Sequence, residues 1–180
     1  MIQRHNVFLS FHHKNDEGYK REFERLFVHS YKSLETRSVQ DGDIDSNLPT
    51  ETIRARIRDN FIRNSTVTVV LIGSETWKRR HVDWEIASSI RSTKLNSRAG
   101  LLGIILPTYP RNDRSKYCKY TIPRRLWDNI DCGFAKIYNW STNPDSVAGW
   151  IHEAYSRRLK VAPINSRLPF VRNKISDRWS

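Results

Sequence analysis

The sequence predicts an α/β domain of the flavodoxin-like, doubly wound kind: a five-stranded parallel sheet flanked by helices, in the order 2-1-3-4-5. Three observations carry this. Short apolar runs alternate with stretches of helical period along most of the chain. Two of those runs, at 66–73 and 100–106, are apolar nearly throughout instead of alternating, as strands covered on both faces are. The chain has 180 residues, which suits one core and is too short for two.

The elements follow in order. Val7, Phe8 and Leu9 open the chain as a first strand. A helix is expected over about 18–33, where Tyr19, Phe23, Leu26, Phe27 and Tyr31 recur at helical spacing. A weak second strand is expected at 36–40, followed by a turn-rich stretch through Pro49. Ile53, Ile57 and Phe61 mark a helix over about 50–64, and Pro49 with Thr50-Glu51 suits its start. After the third strand at 66–73, a helix over about 79–94 places Val82, Ile86 and Ile90 on one face. The fourth strand, 100–106, stops at Pro107. Residues 107–133 read as a long polar and basic loop region, 134–138 as a last strand, and 143–158 as a helix facing inward through Val147, Trp150, Ile151 and Tyr155. Residues 159–180 contain two prolines and show no clear period. The expected organisation is one domain over 1–158 and a basic extension over 159–180.

Composition narrows the function classes. The net charge is +12, from 31 basic and 19 acidic residues, a field that attracts phosphates on nucleic acid, dinucleotides or anionic lipid. The stretch 156–180 alone holds about seven basic residues and one acid, so it reads as a solvated arm or a partner-binding segment. No recognition motif accompanies the charge, and a nucleic-acid partner is therefore not the expectation. The apolar runs are far too short to span a bilayer, and the start of the chain lacks a signal peptide's apolar stretch and cleavage site. A cytoplasmic protein without membrane contact is expected. Cys118 and Cys132 form no Cys-x-x-Cys pair and no His cluster joins them, so no metal site is expected.

In the order 2-1-3-4-5 the winding reverses between strands 1 and 3, and ligands bind there, outside the carboxyl ends of the strands. After strand 1 come Ser10, Phe11, His12, His13, Lys14, Asn15 and Asp16; after strand 3 come Gly73, Ser74, Glu75, Thr76 and Trp77, then a helix bearing Glu85. The loop after strand 2 brings Asp41, Asp43, Asp45 and Ser46 to the same edge. No Gly-x-Gly-x-x-Gly or Walker lysine appears, which disfavours dinucleotide dehydrogenases and P-loop enzymes. Ser10, His12 and an aspartate compose a triad on paper, but no nucleophile-elbow sequence supports it. Glu85 sits beside the stripe of Val82 and Ile86. Two readings stand: a partly buried carboxylate for charge work at a crevice, or a structural one paired with Arg79 or Arg80. The simpler reading of His12 and His13 is loop hydrogen bonding, and of Trp77 and Trp84 packing.

The run Val7-Phe8-Leu9-Ser10-Phe11-His12-His13, the stretch 64–77 and the stretch 79–86 resemble the bacterial TIR-like family, related to Toll/interleukin-1 receptor domains, and most closely the TIR subunit of Thoeris antiphage defence systems. The likeness extends in order over about 5–158. Enzymatic TIR domains cleave the nicotinamide–ribose bond of NAD with a glutamate on the helix after strand 3, usually in the pattern Trp-Cys-x-x-Glu. Here the run is His81-Val82-Asp83-Trp84-Glu85, with the glutamate in register and the Trp and Cys replaced. The resemblance implies that Glu85 is catalytic and that Ser10, Phe11, His12, Asp43, Ser46, Ser74, His81 and Trp84 bind substrate. It further implies NAD as substrate with no cofactor, glycohydrolase or cyclase chemistry, and an ADP-ribose-derived, cyclic signal read by a downstream effector protein. Self-assembly is a further expectation, although the family's Arg-Asp and Pro-Gly in the loop after strand 2 are represented here by Asp41-Gly42-Asp43 and a distant Pro49. The alternative is a non-catalytic TIR-like module that assembles with itself or a partner, which the replaced His81-Val82 pair favours. A basic nucleic-acid-binding α/β protein is the third reading.

Overall fold

In the computed structural model, which describes residues 3–36, 39, 43–45 and 47–179, the five expected strands lie parallel in one sheet. They are β1 (Asn6–Ser10), β2 (Ser33–Glu35), β3 (Val67–Ile72), β4 (Gly100–Ile105) and β5 (Ala135–Asn139), in the order β2-β1-β3-β4-β5. The register sets Val7 opposite both Leu34 and Val67, and Ile72 opposite Ile105. Helices α1 (His13–Phe27), α2 (Thr50–Asn60), α3 (Arg80–Ser89), α4 (Arg124–Asp131) and α5 (Pro144–Arg157) cover the sheet.

All six residues of β3 are buried, which explains its unbroken apolar sequence. Its side chains alternate between two layers. Val67, Val69 and Leu71 pack with Phe23 and Phe27 of α1 and with Val147 and Ile151 of α5. Val70 and Ile72 pack with Val82 and Ile86 of α3 and Leu126 of α4. A third cluster joins Phe8, Ile53, Ile57, Ile62 and Trp84, fixing α2 beside α3. Each such aliphatic side chain, fully buried, contributes about 1.5–3 kcal/mol. Sheet and helix approach closely at Gly100, where a Cβ would lie 2.3 Å from the Ala154 carbonyl oxygen of α5. Gly100→Ala is expected to force that helix outward and cost about 1–3 kcal/mol, read as a lower urea midpoint.

Several boundaries differ from the sequence expectation. α1 begins at His13, because its first turn is polar and carries no apolar marker; Asp16 there suits a helix start, and its N–H bonds the His12 carbonyl at 2.9 Å. It ends at Phe27, and Tyr31 packs from the turn beyond, stacked on Phe23. β2 lies at Ser33–Glu35 and not at 36–40; Thr36 and Val39 are outside any strand, and residues 37, 38 and 40 lie outside the described residues. A three-residue edge strand with one apolar side chain offers no period to read. α2 and α3 stop at Asn60 and Ser89, short of the expected ends. The largest correction is in 107–133, which holds α4 and a single 3-10 turn, Lys119–Thr121. Two helical turns with Leu126 and Ile130 as their inward pair are too short for periodicity to stand out.

Beyond α5 the described residues form no helix or strand, yet they are no solvated arm. They cross the outer side of α2, α3 and α4 as a strap. Lys174 N–H bonds the Lys78 carbonyl at 2.8 Å, and Trp179 bonds the carbonyls of Tyr120 and Ile122 through its main-chain N–H (3.0 Å) and its indole N–H (2.7 Å). The strap is docked mainly by its backbone, so its apolar side chains Leu168, Val171 and Ile175 point outward, 79%, 83% and 94% exposed. Among the described residues no helix is long and apolar enough to cross a membrane.

Candidate functional site

Three segments meet outside the carboxyl ends of β1 and β3: the end of β1, the segment after β2, and α3. Ser10 is the last residue of β1 and pairs with Val70 in the sheet. Its hydroxyl donates a 2.5 Å hydrogen bond to Glu85 Oε2. The N–H of Val39 donates to Oε1 at 3.2 Å. Glu85 has no exposed surface, and its carboxyl group is oriented from two sides.

An aromatic and histidine group adjoins it. Phe11 is buried, and its carbonyl lies 3.0 Å from His81 Nε2. The His13 ring stands 4.3 Å from Phe11 and 5.5 Å from His81, centroid to centroid. His12 is buried, and its Nδ1 has no hydrogen-bond partner among the described residues. Burial first, and then the Arg79 guanidinium, push His12 down to about 4, against the opposing charge of Glu75. Ser74 receives a 3.5 Å contact from Asn15 Nδ2, which also donates to Glu75 at 3.2 Å.

That neutral histidine has a pH consequence. Unfolded, His12 titrates near 6.5; folded, near 4, so the unfolded state takes up the proton first. The stability tied to neutral His12 is whole above pH 6.5 and is lost as pH falls toward 4. His12→Gln is expected to make the acid limb of stability shallower by about 1.4 kcal/mol per pH unit across that interval, read from urea midpoints. His5, held at about 4 by burial and then by His152 and Arg158, keeps a limb of its own in that variant.

Below this group lies a buried acid that sequence reasoning did not single out. Asp16 accepts from Thr108 Oγ1 at 3.0 Å and Thr76 Oγ1 at 3.4 Å. Burial pushes its carboxyl above the ordinary range, against those two hydroxyl donors, which pull it down. Gly73 makes room for it: a Cβ at that position would sit 2.3 Å from both Asp16 oxygens. The Gly73 N–H bonds Thr76 Oγ1 at 2.8 Å, so the turn after β3 is built around this carboxylate. The available signal was Asp16 at the start of α1 facing the lone glycine after β3.

The other face of α3 belongs to the strap. Trp84 packs in the cluster with Phe8 and Ile57, and its indole N–H bonds the Phe170 carbonyl at 2.8 Å. Asp83 pairs with Arg125 of α4 and accepts the Phe170 N–H at 2.9 Å. Of the residues expected to bind substrate, Ser10, Phe11, His12 and His81 gather beside Glu85 or its histidine group, and Ser74 lies on the neighbouring turn. The Trp84 indole is turned into the packing cluster. Asp43 is exposed on the segment after β2, while Ser46, like Asp41 and Gly42, falls outside the described residues. A separate groove lined by Asn6, Lys32, Arg63 and Asn96 lies at the opposite, amino-terminal edge of the strands, away from Glu85.

Fold and site together define a class: a flavodoxin-like α/β domain with a buried glutamate on the helix after the third strand, at the point where the strand order reverses. The chain matches the family model of the Thoeris protein ThsB, TIR-like domain, over residues 8–111, more than half its length, and it belongs to that family. It is thus a TIR-like module of antiphage defence, and the matched stretch takes in Ser10, Asp16 and Glu85. The curated proteins contain no match to it.

Proposed function

We propose that the chain is an NAD-cleaving TIR enzyme whose product is an ADP-ribose-derived signal, cyclic in form, read by a downstream effector protein in antiphage defence. The observation that carries this reading is Glu85, a buried carboxylate oriented by Ser10 and the Val39 N–H at the strand-order reversal. Nicotinamide in NAD is already a cationic leaving group, so one carboxylate suffices where ordinary glycosidases need two. The C1′–N bond breaks and its electron pair goes to the ring nitrogen. Positive charge develops on the ribose, and Glu85 stabilises it electrostatically. Two vicinal ribose hydroxyls take the places that the Ser10 hydroxyl and the Val39 N–H hold in the free protein. Water then gives ADP-ribose and a proton; a nucleophile within the substrate gives the cyclic product and a proton. Phe11, His12 and His81 line the ribose and nicotinamide side, and Asp43, Ser46 and Ser74 are the further substrate-binding residues of this reading. The basic run Lys78-Arg79-Arg80 draws the pyrophosphate toward it. NAD is a cytoplasmic metabolite, which suits a cytoplasmic enzyme.

The test is mass spectrometry of small molecules from cells expressing wild type or Glu85→Gln, with and without phage challenge. NAD loss with ADP-ribose or its cyclic form, in wild type alone, supports the enzyme, and the mass separates cyclase from hydrolase, because the cyclic product is ADP-ribose less one water. Silence from both under challenge, with defence still dependent on the protein, rejects it. A second reading is a non-catalytic TIR-like module that assembles with itself or a partner. It is favoured by the full burial of Glu85 with protein donors on both oxygens, a pattern structural carboxylates also show.

A further inference from the structure

We propose that Arg125 and the strap over residues 165–173 are positioning groups for Glu85, a splint on the helix that carries it. This rests on the enzyme reading above. Arg80, Asp83, Trp84 and Ala87 are spaced as one face of α3. The strap grips each of them. The Arg80 N–H donates to Asn173 Oδ1 at 2.8 Å, and its guanidinium to the Val171 carbonyl at 2.8 Å. Asp83 accepts the Phe170 N–H, and the Trp84 indole donates to the Phe170 carbonyl. The Ala87 carbonyl accepts Asn165 Nδ2 at 2.8 Å. Glu85 follows Trp84 and projects about 100° further round the axis, toward Ser10 and Val39. The helix is therefore held from two directions, by the strap on one side and by Ser10 and Val39 through Glu85 on the other.

Arg125 locks the strap to the helix. It is 1% exposed, and its fork meets Asp83 at 2.9 Å (Nε to Oδ1) and 3.3 Å (Nη2 to Oδ2). Its remaining donors reach Asn165 Oδ1 (3.0 Å) and the carbonyls of Arg167 (3.1 Å) and Leu168 (3.3 Å). Arg54 of α2 adds bonds to the carbonyls of Asn165 (3.1 Å) and Arg167 (2.6 Å). A planar guanidinium fully engaged in this way fixes direction as well as distance. α3 needs that help, since it has ten residues and no side-chain cap at its start. A rotation that shifts the Glu85 carboxylate by about 1 Å costs up to roughly a hundredfold in rate.

The experiment uses Asn165→Ala, at a half-buried strap position, and Arg125→Lys, which keeps a charge beside Asp83 but not the fork. Three readouts are compared with wild type: hydrogen exchange across α3, binding of carba-NAD (a non-cleavable analogue), and product per soluble protein in phage-challenged cells. The splint predicts faster exchange over 80–89 with β3 and β4 still protected. It also predicts full carba-NAD stoichiometry and product lowered about tenfold. Unchanged α3 exchange overturns the splint, as does product equal to wild type despite faster exchange. A general loss of protection or of binding sites also overturns it, because the strap then only stabilises the fold. Wild type without product overturns the enzyme reading, and positioning for catalysis falls with it; faster α3 exchange alone then leaves only the structural hold.

Discussion

Glu85→Gln is expected to lower NAD turnover roughly a thousandfold while the protein stays folded. The magnitude is that of removing one preorganised electrostatic partner from a site where charge develops in the transition state. The fold survives because the change keeps shape and hydrogen bonding. The amide oxygen still accepts from one donor, and the amide nitrogen can donate to Ser10 Oγ, which accepts as readily as it donates. What is lost is the negative charge facing the ribose. Metabolite mass spectrometry reads the turnover, and circular dichroism with thermal melting reads the fold. A purely assembling module tolerates this substitution, so a variant that is folded, silent in chemistry and defective in defence separates the two readings.

The largest stability effect is expected at Arg125. Arg125→Ala leaves Asp83, 5% exposed, as a buried carboxylate without its guanidinium, and empties donors from three strap acceptors. Removing one partner of such a pair costs about 3–5 kcal/mol. In a domain of this size that corresponds to a melting temperature lower by roughly 10 °C. The contrast is Lys136 with Glu153, an ion pair half in solvent on β5 and α5, where Lys136→Ala is expected to cost under about 1 kcal/mol. Equal losses at the two sites would mean that the strap does not bury Arg125 in solution.

The sequence made the parallel sheet and its order legible, because burial on both faces leaves the same mark on every residue of β3 and β4. The burial of Glu85 was legible too, through its place beside Val82 and Ile86. What stayed hidden shares one physical cause: contacts that no local period encodes. α4 is two turns long, and β2 is three residues at an edge. Asp16 is explained by Gly73, Thr76 and Thr108, all far away in sequence. The strap has no period at all, since what anchors it is chiefly its carbonyls meeting Arg54, Arg80, Trp84 and Arg125. Trp84 shows the same limit at a single residue. Packing was its simpler reading and the family resemblance implied substrate contact; a helical step of about 100° from Glu85 turns it toward the strap.

A carbonyl is the same chemical group whichever amino acid carries it. The strap's grip therefore asks little of its own spelling: nearly any residue can stand at 167, 168 or 171 and still present its oxygen, whereas proline at 170 deletes the N–H that Asp83 requires. Such a segment can drift in composition between relatives without loosening its hold. The family match ends at residue 111, yet the shell of the buried arginine is completed more than fifty residues later. For this domain the boundary drawn by resemblance and the boundary drawn by hydrogen bonding are different lines, and a fragment cut at the first leaves the second open.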